Sequence, residues 1–369
     1  MPAGPWVLVV GCHRSGTSAV SGALVAMGLH GVDPGDRMDD PASNPEHWES
    51  LSAALLDERL LVGQGAAWDA PPPEDAPPLL PDEATAAEAA AVMAGAYPVP
   101  GPVVWKDPRV CLLLPFWRAL LPGPVAAVFV WRQPLAVARS LQTRDGMALA
   151  DGLALWERYN RSAALGLQGV DTYVLGYESL MADPAGELRR ISGWLDGTGH
   201  VTPPSGSWDV DGAAALIDGT LRHQSSDRGA DPSTLPSTHL AVADWLADHA
   251  GSHLPLAATP PPSSSPWPEA LLGARRELAR FRGTVDGLVR ERGQLRSELD
   301  QAVAERDAER VRLDGARQEI EGERMRADGE RMTSAALLET LEHLRESTSW
   351  KATAPLRAVQ AALHRSRPD

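Results

Sequence analysis

The sequence predicts an α/β protein with a P-loop-like strand–turn–helix at the start of a central parallel sheet flanked by helices, followed by a C-terminal α-helical coiled coil. From Trp6 to about Leu254, short apolar runs alternate with helical patterns, as they do in βαβ units. After a Pro- and Ser-rich stretch, the pattern changes to a heptad repeat. We therefore expect four parts: an α/β domain over 1–254, a linker over 255–268, a coiled coil over 269–346 and a tail over 347–369.

Four short segments have the composition of buried central strands. Each is rich in Val or aromatic residues and is bounded by Gly, Pro or charged residues. A Pro-rich stretch over 69–81 predicts a surface loop that leads into an Ala-rich helix over about 82–96. The predicted strands are Trp6–Val10, Val103–Trp105, Val125–Trp131 and Thr172–Gly176.

Charge and cysteine content exclude several classes of protein. The net charge of -15 argues against a general nucleic-acid binder, because binding a polyanion requires a basic surface. The two cysteines, Cys12 and Cys111, lie in or beside apolar runs rather than in spaced pairs, which argues against a disulfide scaffold. No apolar run approaches the roughly 18 residues of a membrane span, and no basic region precedes the first strand. We expect a cytoplasmic protein that does not span a membrane.

A glycine-rich turn, Gly11–Ser18, connects the first predicted strand to a helix. This order aims backbone N–H groups and a helix N-terminus at a phosphate. In a nucleotide triphosphatase, a Lys precedes the last hydroxyl residue of such a loop, but Thr17 stands at that position here. That Lys normally contacts the terminal phosphates of the triphosphate, so its absence argues against an ATP-dependent phosphotransferase. Such a phosphotransferase remains the alternative enzyme.

The loop offers one cation, Arg14, and hydroxyl groups around its N–H donors. Such a cradle suits a phosphate that carries a sulfuryl group, whose transfer needs charge stabilisation but no obligatory metal. The turn resembles the 5'-phosphosulfate loop of the sulfotransferase family, in the Arg-Ser-Gly-Thr-Ser form common among carbohydrate sulfotransferases. The resemblance implies 3'-phosphoadenosine 5'-phosphosulfate (PAPS) as donor and a hydroxyl of a carbohydrate or glycolipid as acceptor. It also implies a donor site formed by His13, Arg14, Ser15, Gly16, Thr17 and Ser18.

A second basic element follows the strand Val125–Trp131. Arg132 stands at the strand end, Pro134 can start a helix, and Ser140 would lie about two turns along it. This arrangement resembles the 3'-phosphate clamp of the family, which implies that Arg132 and Ser140 bind that phosphate. We interpret the neighbouring Arg139 and Arg144 as surface charges of the helix.

Two further stretches resemble the bacterial branch of the family. The first places Lys106, Asp107 and Arg109 after a strand, at the carboxyl edge where open α/β sheets bind ligands. Lys106 is expected to assist Arg14 in stabilising charge on the leaving phosphate. The second, from Tyr177 to Pro184, has a largely architectural role in the family, so Glu178 is not expected to be catalytic.

Catalysis also requires a group that accepts the proton of the attacking hydroxyl. The segment Asn44–Glu49 follows the first helix, where relatives carry an acidic residue facing the acceptor. Glu49 is the first candidate, followed by Glu46 and His47, and Asp107 is a rival from the neighbouring loop. By analogy with a late basic loop in the family, Arg222 is a candidate for a further phosphate contact.

The C-terminal part has a seam with a positions from Leu278 to Leu341 and d positions from Phe281 to Leu344. Both ends of the seam are apolar, whereas its middle contains few apolar residues. We therefore expect a coiled coil that associates with a second copy or with a partner. A solvated single helix is the alternative. The segment 347–357 resembles one that closes coiled coils on bacterial glycosyltransferases and related surface-polysaccharide enzymes, which favours a glycan acceptor. A non-catalytic scaffold in a polysaccharide assembly complex is the alternative function.

Overall fold

The structure, a computed structural model, describes residues 4–38, 48–220, 237–255, 257–263 and 266–365. Short strands and helices alternate as far as β4, and helices predominate after it. In chain order the elements are β1 (Trp6–Val10), α1 (Thr17–Ala26), α2 (Leu51–Gly63), α3 (Glu83–Ala96), β2 (Val103–Lys106), α4 (Val110–Leu120), β3 (Val125–Trp131), α5 (Pro134–Asp145), α6 (Leu149–Gly166), β4 (Asp171–Gly176), α7 (Tyr177–Ala182), α8 (Pro184–Thr198), α9 (Val210–Thr220), α10 (Ser237–His249), β5 (Ser252–His253), α11 (Trp267–Glu346), α12 (Thr348–Ala352) and α13 (Ala354–Arg365).

The strands form one sheet in the order β2-β1-β3-β4-β5. The first four strands are parallel, with Trp6 beside Val103 on one side and Val125 on the other. The four predicted strands are confirmed; β2 extends to Lys106 and β4 begins at Asp171. The two-residue β5 runs antiparallel to β4 and was not expected, because a strand this short has no detectable period. The carboxyl ends of β1 to β4 meet at one edge, which positions the loops that follow them.

Both faces of the sheet are covered by helices, because alternate residues of β1 enter two different cores. Trp6, Leu8 and Val10 pack with residues of α2, α3, α4 and α6. Val7 and Val9 pack on the opposite face with residues of α1, α8 and α9. Burial on both faces explains why the strands are continuous apolar runs rather than alternating ones.

The helix α11 begins at Trp267, and its first turns pack on the α/β domain. Leu272 is 1% exposed and belongs to the larger core cluster. The guanidinium of Arg276 donates to the carbonyl oxygen of Pro71 at 2.8 Å, and Arg275 donates to the carbonyl oxygen of Asp69 at 2.7 Å. These contacts hold the predicted surface loop 69–81 against the start of the helix. The chain accordingly divides into a unit Met1–Thr284 and a unit Val285–Asp369.

The second unit contains the remainder of α11, the short helix α12 and α13. The whole of α11 is one helix of 80 residues, which confirms a long helix after the linker. The Ser347 hydroxyl accepts a hydrogen bond from Trp350 N at 3.2 Å and so caps α12. The Arg357 guanidinium lies 3.6 Å from the centroid of the Trp350 ring. Among the described residues, no helix combines the length and apolarity that a membrane crossing requires.

Leu272→Ala should lower the free energy of unfolding by about 2–5 kcal/mol, because it leaves a cavity in a closely packed core. Urea unfolding followed by tryptophan fluorescence measures the change. Val311→Ala is the matched control on the same helix, since Val311 is 72% exposed, and it should have almost no effect. Equal losses for both variants would contradict the packing of the first helical turns on the domain.

Candidate functional site

The loop from Gly11 to Ser18 is closed by contacts that leave no room for side chains at its two glycines. Gly11 N donates to the Cys111 Sγ atom at 3.2 Å, and a Cβ at Gly11 would collide with the carbonyl oxygen of Val130. Gly16 has φ 91° and Arg14 has φ 68°. Arg14 is the one non-glycine residue in the left-handed region among those that the structure describes. Left-handed residues within a turn orient successive N–H groups toward a common centre, which forms an anion nest.

Tyr177, the first residue after β4, braces this loop from the opposite side. A Cβ at Gly16 would collide with the Tyr177 ring, so the ring lies directly against the glycine. The guanidinium carbon of Arg132 lies 4.5 Å from the centroid of the same ring, a cation–π contact. Sequence reasoning assigned an architectural role to the stretch around Tyr177 but did not predict this contact. The sequence shows only that Tyr177 directly follows a predicted strand. Its contact with Gly16 depends on the sheet order, in which β4 lies two places from β1.

The two predicted phosphate elements meet in the structure. Arg14 Nε donates to Ser140 Oγ at 2.9 Å, across 126 residues of sequence. Arg132 Nη1 donates to the carbonyl oxygen of Arg14 at 3.2 Å. The loop after β1 is therefore connected to the end of β3 and to the helix α5, which begins at Pro134 as predicted.

This junction concentrates positive charge. Burial lowers the pKa of Arg14, and the nearby guanidinium groups of Arg144 and Arg132 lower it further. Asp145 is a counter-ion to Arg144, with 2.8 Å between its Oδ2 and Nε. Since repulsion among cations disfavours their charged forms, a bound anion would relieve it.

Lys106 connects the end of β2 to the start of α1. Its ammonium group donates to Ser18 Oγ at 3.0 Å and forms a buried ion pair with Glu49. The side chains of Lys106 and Glu49 are 3% and 9% exposed. The structure thus brings together three predicted site residues, and the ion pair aims the ammonium group at the loop.

Asp107 is buried next to Lys106 and is engaged by Arg109. Its Oδ1 accepts hydrogen bonds from Arg109 N at 2.8 Å and from Arg109 Nη1 at 3.1 Å. Arg109 also pairs with Glu58, with 3.2 Å between Nε and Oε2. Burial raises the pKa of Asp107, and the charge of Arg109 opposes that change. These contacts hold the turn that starts α4, so Asp107 has a structural role here. Its role as a rival catalytic base stays a prediction.

Asp57, a residue that sequence reasoning missed, lies fully buried near Asp107. It accepts a hydrogen bond from Trp117 Nε1 at 2.8 Å. Burial raises its pKa well above the usual range, and the negative charge of Asp107 adds to the effect. The sequence of α2 gives no signal that Asp57 is buried, because an Asp in a helix is ordinarily exposed.

His13 lies in an aromatic environment beside the loop. Its ring centroid is 4.7 Å from that of Trp68 and 5.3 Å from that of Tyr159. Burial lowers the pKa of His13 well below its usual range, and Arg109 and Arg144 lower it further, so the imidazole is neutral at pH 7. In the described part of the chain, neither His13 Nε2 nor the buried Ser15 Oγ has a hydrogen-bond partner. Because buried polar atoms are normally paired, these two atoms leave hydrogen-bonding capacity open in the loop.

The remaining predicted residues have ordinary positions. Thr17 is buried at the first turn of α1, where its carbonyl oxygen accepts a hydrogen bond from Ser21 at 3.0 Å. Glu178 Oε1 accepts from Gln133 N at 3.2 Å, a contact between the ends of β4 and β3 that fits an architectural role. Three candidates, Glu46, His47 and Arg222, lie outside the described residues.

No cluster of His, Cys, Asp or Glu able to hold a metal ion is present within those ranges that the structure describes. Metal-free chemistry stays a prediction.

Comparison with known proteins assigns a family to this site. The similar solved structures include the sulfotransferase domain from the Synechococcus PCC 7002 olefin synthase and the sulfotransferase domain from the curacin biosynthetic pathway. The first is 20% identical, with 74% of this chain and 94% of that chain covered and a TM-score of 0.36. The second is 14% identical, with 53% and 75% covered and a TM-score of 0.31. No curated protein matches the chain.

With TM-scores this low, the assignment depends on the family model alone. The model described as "Sulfotransferase family" matches residues 5–198, which is more than half of the 369 residues and includes every described candidate residue of the site. The protein therefore belongs to the sulfotransferase family and is a sulfotransferase.

Proposed function

We propose that this sulfotransferase transfers a sulfuryl group from PAPS to a hydroxyl of a carbohydrate or glycolipid. The observation that carries the donor is the junction of Arg14 with Ser140 and Arg132. Two proposed phosphate-binding elements, which follow different strands, converge there on one basic centre. A nucleotide with phosphates at both ends of its ribose would need such a pair of elements, and PAPS is the donor that membership of the sulfotransferase family implies.

The residues of the loop fit the 5'-phosphosulfate. The N-terminus of α1 has no side-chain cap, so its first N–H groups remain available to an anion. Ser15 Oγ is a buried atom for which a phosphate oxygen would be a suitable partner. We assign the 3'-phosphate to Arg132 and Ser140, because Arg binds phosphate through its paired donors.

The bound donor supplies the sulfuryl group and a bisphosphate leaving group. Arg14 and Lys106 would stabilise the negative charge that develops on the bridging oxygen as the sulfur–oxygen bond breaks. Preorganised groups of this kind each increase the catalytic rate by a factor of about 10²–10³. Glu49 holds the Lys106 ammonium group in place and is our candidate for the proton acceptor.

The acceptor proposal rests on three features. They are the Arg-Ser-Gly-Thr-Ser form of the loop, which is common among carbohydrate sulfotransferases, the tail segment 347–357 and the surface near Trp68. The Trp68 indole is partly exposed, lies beside His13 and has the Arg144 guanidinium 5.4 Å from its centroid. An aromatic face with an adjacent donor suits a polyhydroxylated ring. We propose the cytoplasm as the location, because both cysteines are free and buried.

Arg14→Ala and Arg132→Ala should each weaken binding of 3',5'-adenosine bisphosphate by about 10- to 100-fold, because each removes a charged hydrogen-bond donor. Isothermal titration calorimetry measures the change. The wild-type protein should prefer the bisphosphate to ATP with Mg²⁺. Arg189→Ala is the matched control on the exposed surface of α8 and should bind as the wild type does. Equal binding by all variants, or preference for ATP, would disprove the donor site.

Lys106→Met should reduce sulfuryl transfer by about 10²–10³, and Glu49→Gln by about 10²–10⁴, while bisphosphate affinity stays within about threefold. Each single change also leaves a buried charge without its ion-pair partner, which can destabilise the fold. The double variant separates the two effects because it removes both charges. If catalysis requires these residues, the double variant should be more thermally stable than the single variants but equally inactive. If the double variant regains activity, the pair has only a structural role.

Incubation with ³⁵S-labelled PAPS should label purified cell-envelope glycans, and Arg14→Ala should abolish the labelling. Release of the label by acid hydrolysis of sulfate esters, with no label in the protein fraction, would identify a glycan hydroxyl as the acceptor. Labelling confined to proteins or to small phenols would contradict the acceptor proposal while leaving the donor site intact.

A further inference from the structure

The helix α11 presents a long apolar seam that no described residue covers. Ten of its a and d residues are between 41% and 60% exposed. Burial of a large aliphatic side chain is worth about 1.5–3 kcal/mol, so an exposed row of this length favours a partner helix. The ten residues are Leu278, Val285, Leu288, Leu295, Leu299, Leu313, Ile320, Leu337, Leu341 and Leu344.

The middle of the seam contains charged residues, and each has an opposite charge beside it. Two are Arg at a positions, and each follows a Glu at g; three are Glu at d positions, and each precedes an Arg at e. In a parallel pair of helices in register, an a side chain packs beside the preceding g residue of the partner, and a d side chain beside the following e residue. All five charges therefore find a counter-ion on a second copy. The five pairs are Arg292 with Glu291, Arg306 with Glu305, Glu309 with Arg310, Glu323 with Arg324, and Glu330 with Arg331.

The positions that flank the seam favour the same orientation. In a parallel pair, each g residue faces the e residue five positions later in the partner. Four such pairs are attractive, Glu277–Arg282, Glu291–Arg296, Glu305–Arg310 and Glu319–Arg324, and two are repulsive, Arg312–Arg317 and Arg326–Arg331. Exposed ion pairs contribute only about 0.2–1 kcal/mol each, but such pairs set the orientation of coiled coils.

An antiparallel pair would place e residues against e residues. Most e positions of α11 are Arg, so this orientation brings like charges together: Arg282, Arg296, Arg310, Arg317, Arg324, Arg331 and Arg345. One antiparallel register does oppose Arg306 to Glu309 and Arg292 to Glu323 in the seam. The same register has three repulsive edge pairs, Arg282–Arg331, Arg296–Arg317 and Glu298–Glu319, against two attractive ones, Glu291–Arg326 and Glu305–Arg312. It also buries Glu330 against Val285. The attraction gained in the seam is therefore offset at its edges.

We propose that α11 pairs with a second copy of this chain as a parallel, in-register, two-stranded coiled coil over residues 277–344. The occupant is a second copy because the seam complements itself: its five charges and its apolar ends match the same residues of an identical helix. This association is independent of the sulfuryl donor and acceptor.

Disulfide cross-linking of the full chain tests orientation and register together. Ala302 occupies a d position and would face its own copy, whereas Ala304 occupies an outward f position. With oxidised glutathione, Ala302→Cys should give at least about tenfold more cross-linked dimer than Ala304→Cys, since a disulfide requires Cα atoms about 4.4–6.8 Å apart. The native Cys12 and Cys111 are buried and should not react, which the unsubstituted chain verifies. Sedimentation equilibrium of the unsubstituted chain should give the mass of a dimer.

Other outcomes overturn the proposal. Cross-linking of Ala302→Cys only when it is mixed with Leu313→Cys would show the antiparallel register instead. A monomeric mass at all concentrations would show a single helix or one that requires a different partner, and a trimeric mass would exclude the two-stranded form.

Discussion

The site depends on the close approach of the first loop to the strands beside it. Gly11 touches the carbonyl oxygen of Val130 in β3, and Gly16 touches the Tyr177 ring at the end of β4. Neither contact tolerates a Cβ. Gly16 adopts its left-handed conformation without strain, whereas Arg14 has one that a non-glycine residue rarely adopts. Because the same Tyr177 ring also contacts Arg132, one aromatic side chain sets the distance between the loop and this guanidinium group. Packing of the sheet thus determines where positive charge collects.

The second constraint is electrostatic. Lys106 and Glu49 are both buried, and such a pair is weak support for stability because both ions lose their hydration. Its value lies in position: the ammonium group is held at Ser18 Oγ, at the first turn of α1, rather than extended into solvent. Asp107 and Arg109 form a similar ion pair in the turn after β2. There the carboxylate also accepts a hydrogen bond from the backbone N–H of Arg109, just before α4. Buried ion pairs therefore orient the groups on which the proposed chemistry depends.

The sequence allowed the local elements to be predicted, and the residues missed are those defined by distant contacts. The strands β1 and β3 have the predicted bounds, because each is an apolar run ended by Gly or by charge. Pro134 does begin α5, since its fixed φ suits a first helical position. The Lys106–Glu49 pair spans 57 residues, and the hydrogen bond from Arg276 to Pro71 spans 205. No periodicity or motif encodes such separations; they arise only when the sheet order is known. Asp57 could not be predicted because its burial depends on Trp117 in another helix.

The helix α11 shows how one pattern can have two environments. At Leu272 and Arg276 its side chains are buried against the α/β domain, and from Leu278 onward the apolar positions are exposed. The heptad repeat does not distinguish the two, since Leu at a helical spacing suits either a globular core or a coiled-coil seam. The charges do distinguish them. Arg292, Arg306 and Glu309 would be costly in a globular core, but in a two-stranded seam their ends reach the g and e positions of the partner. A seam of this kind gives up stability in its middle and favours its own register, because a shift by one heptad places Arg306 beside Arg312 and Glu330 beside Leu338.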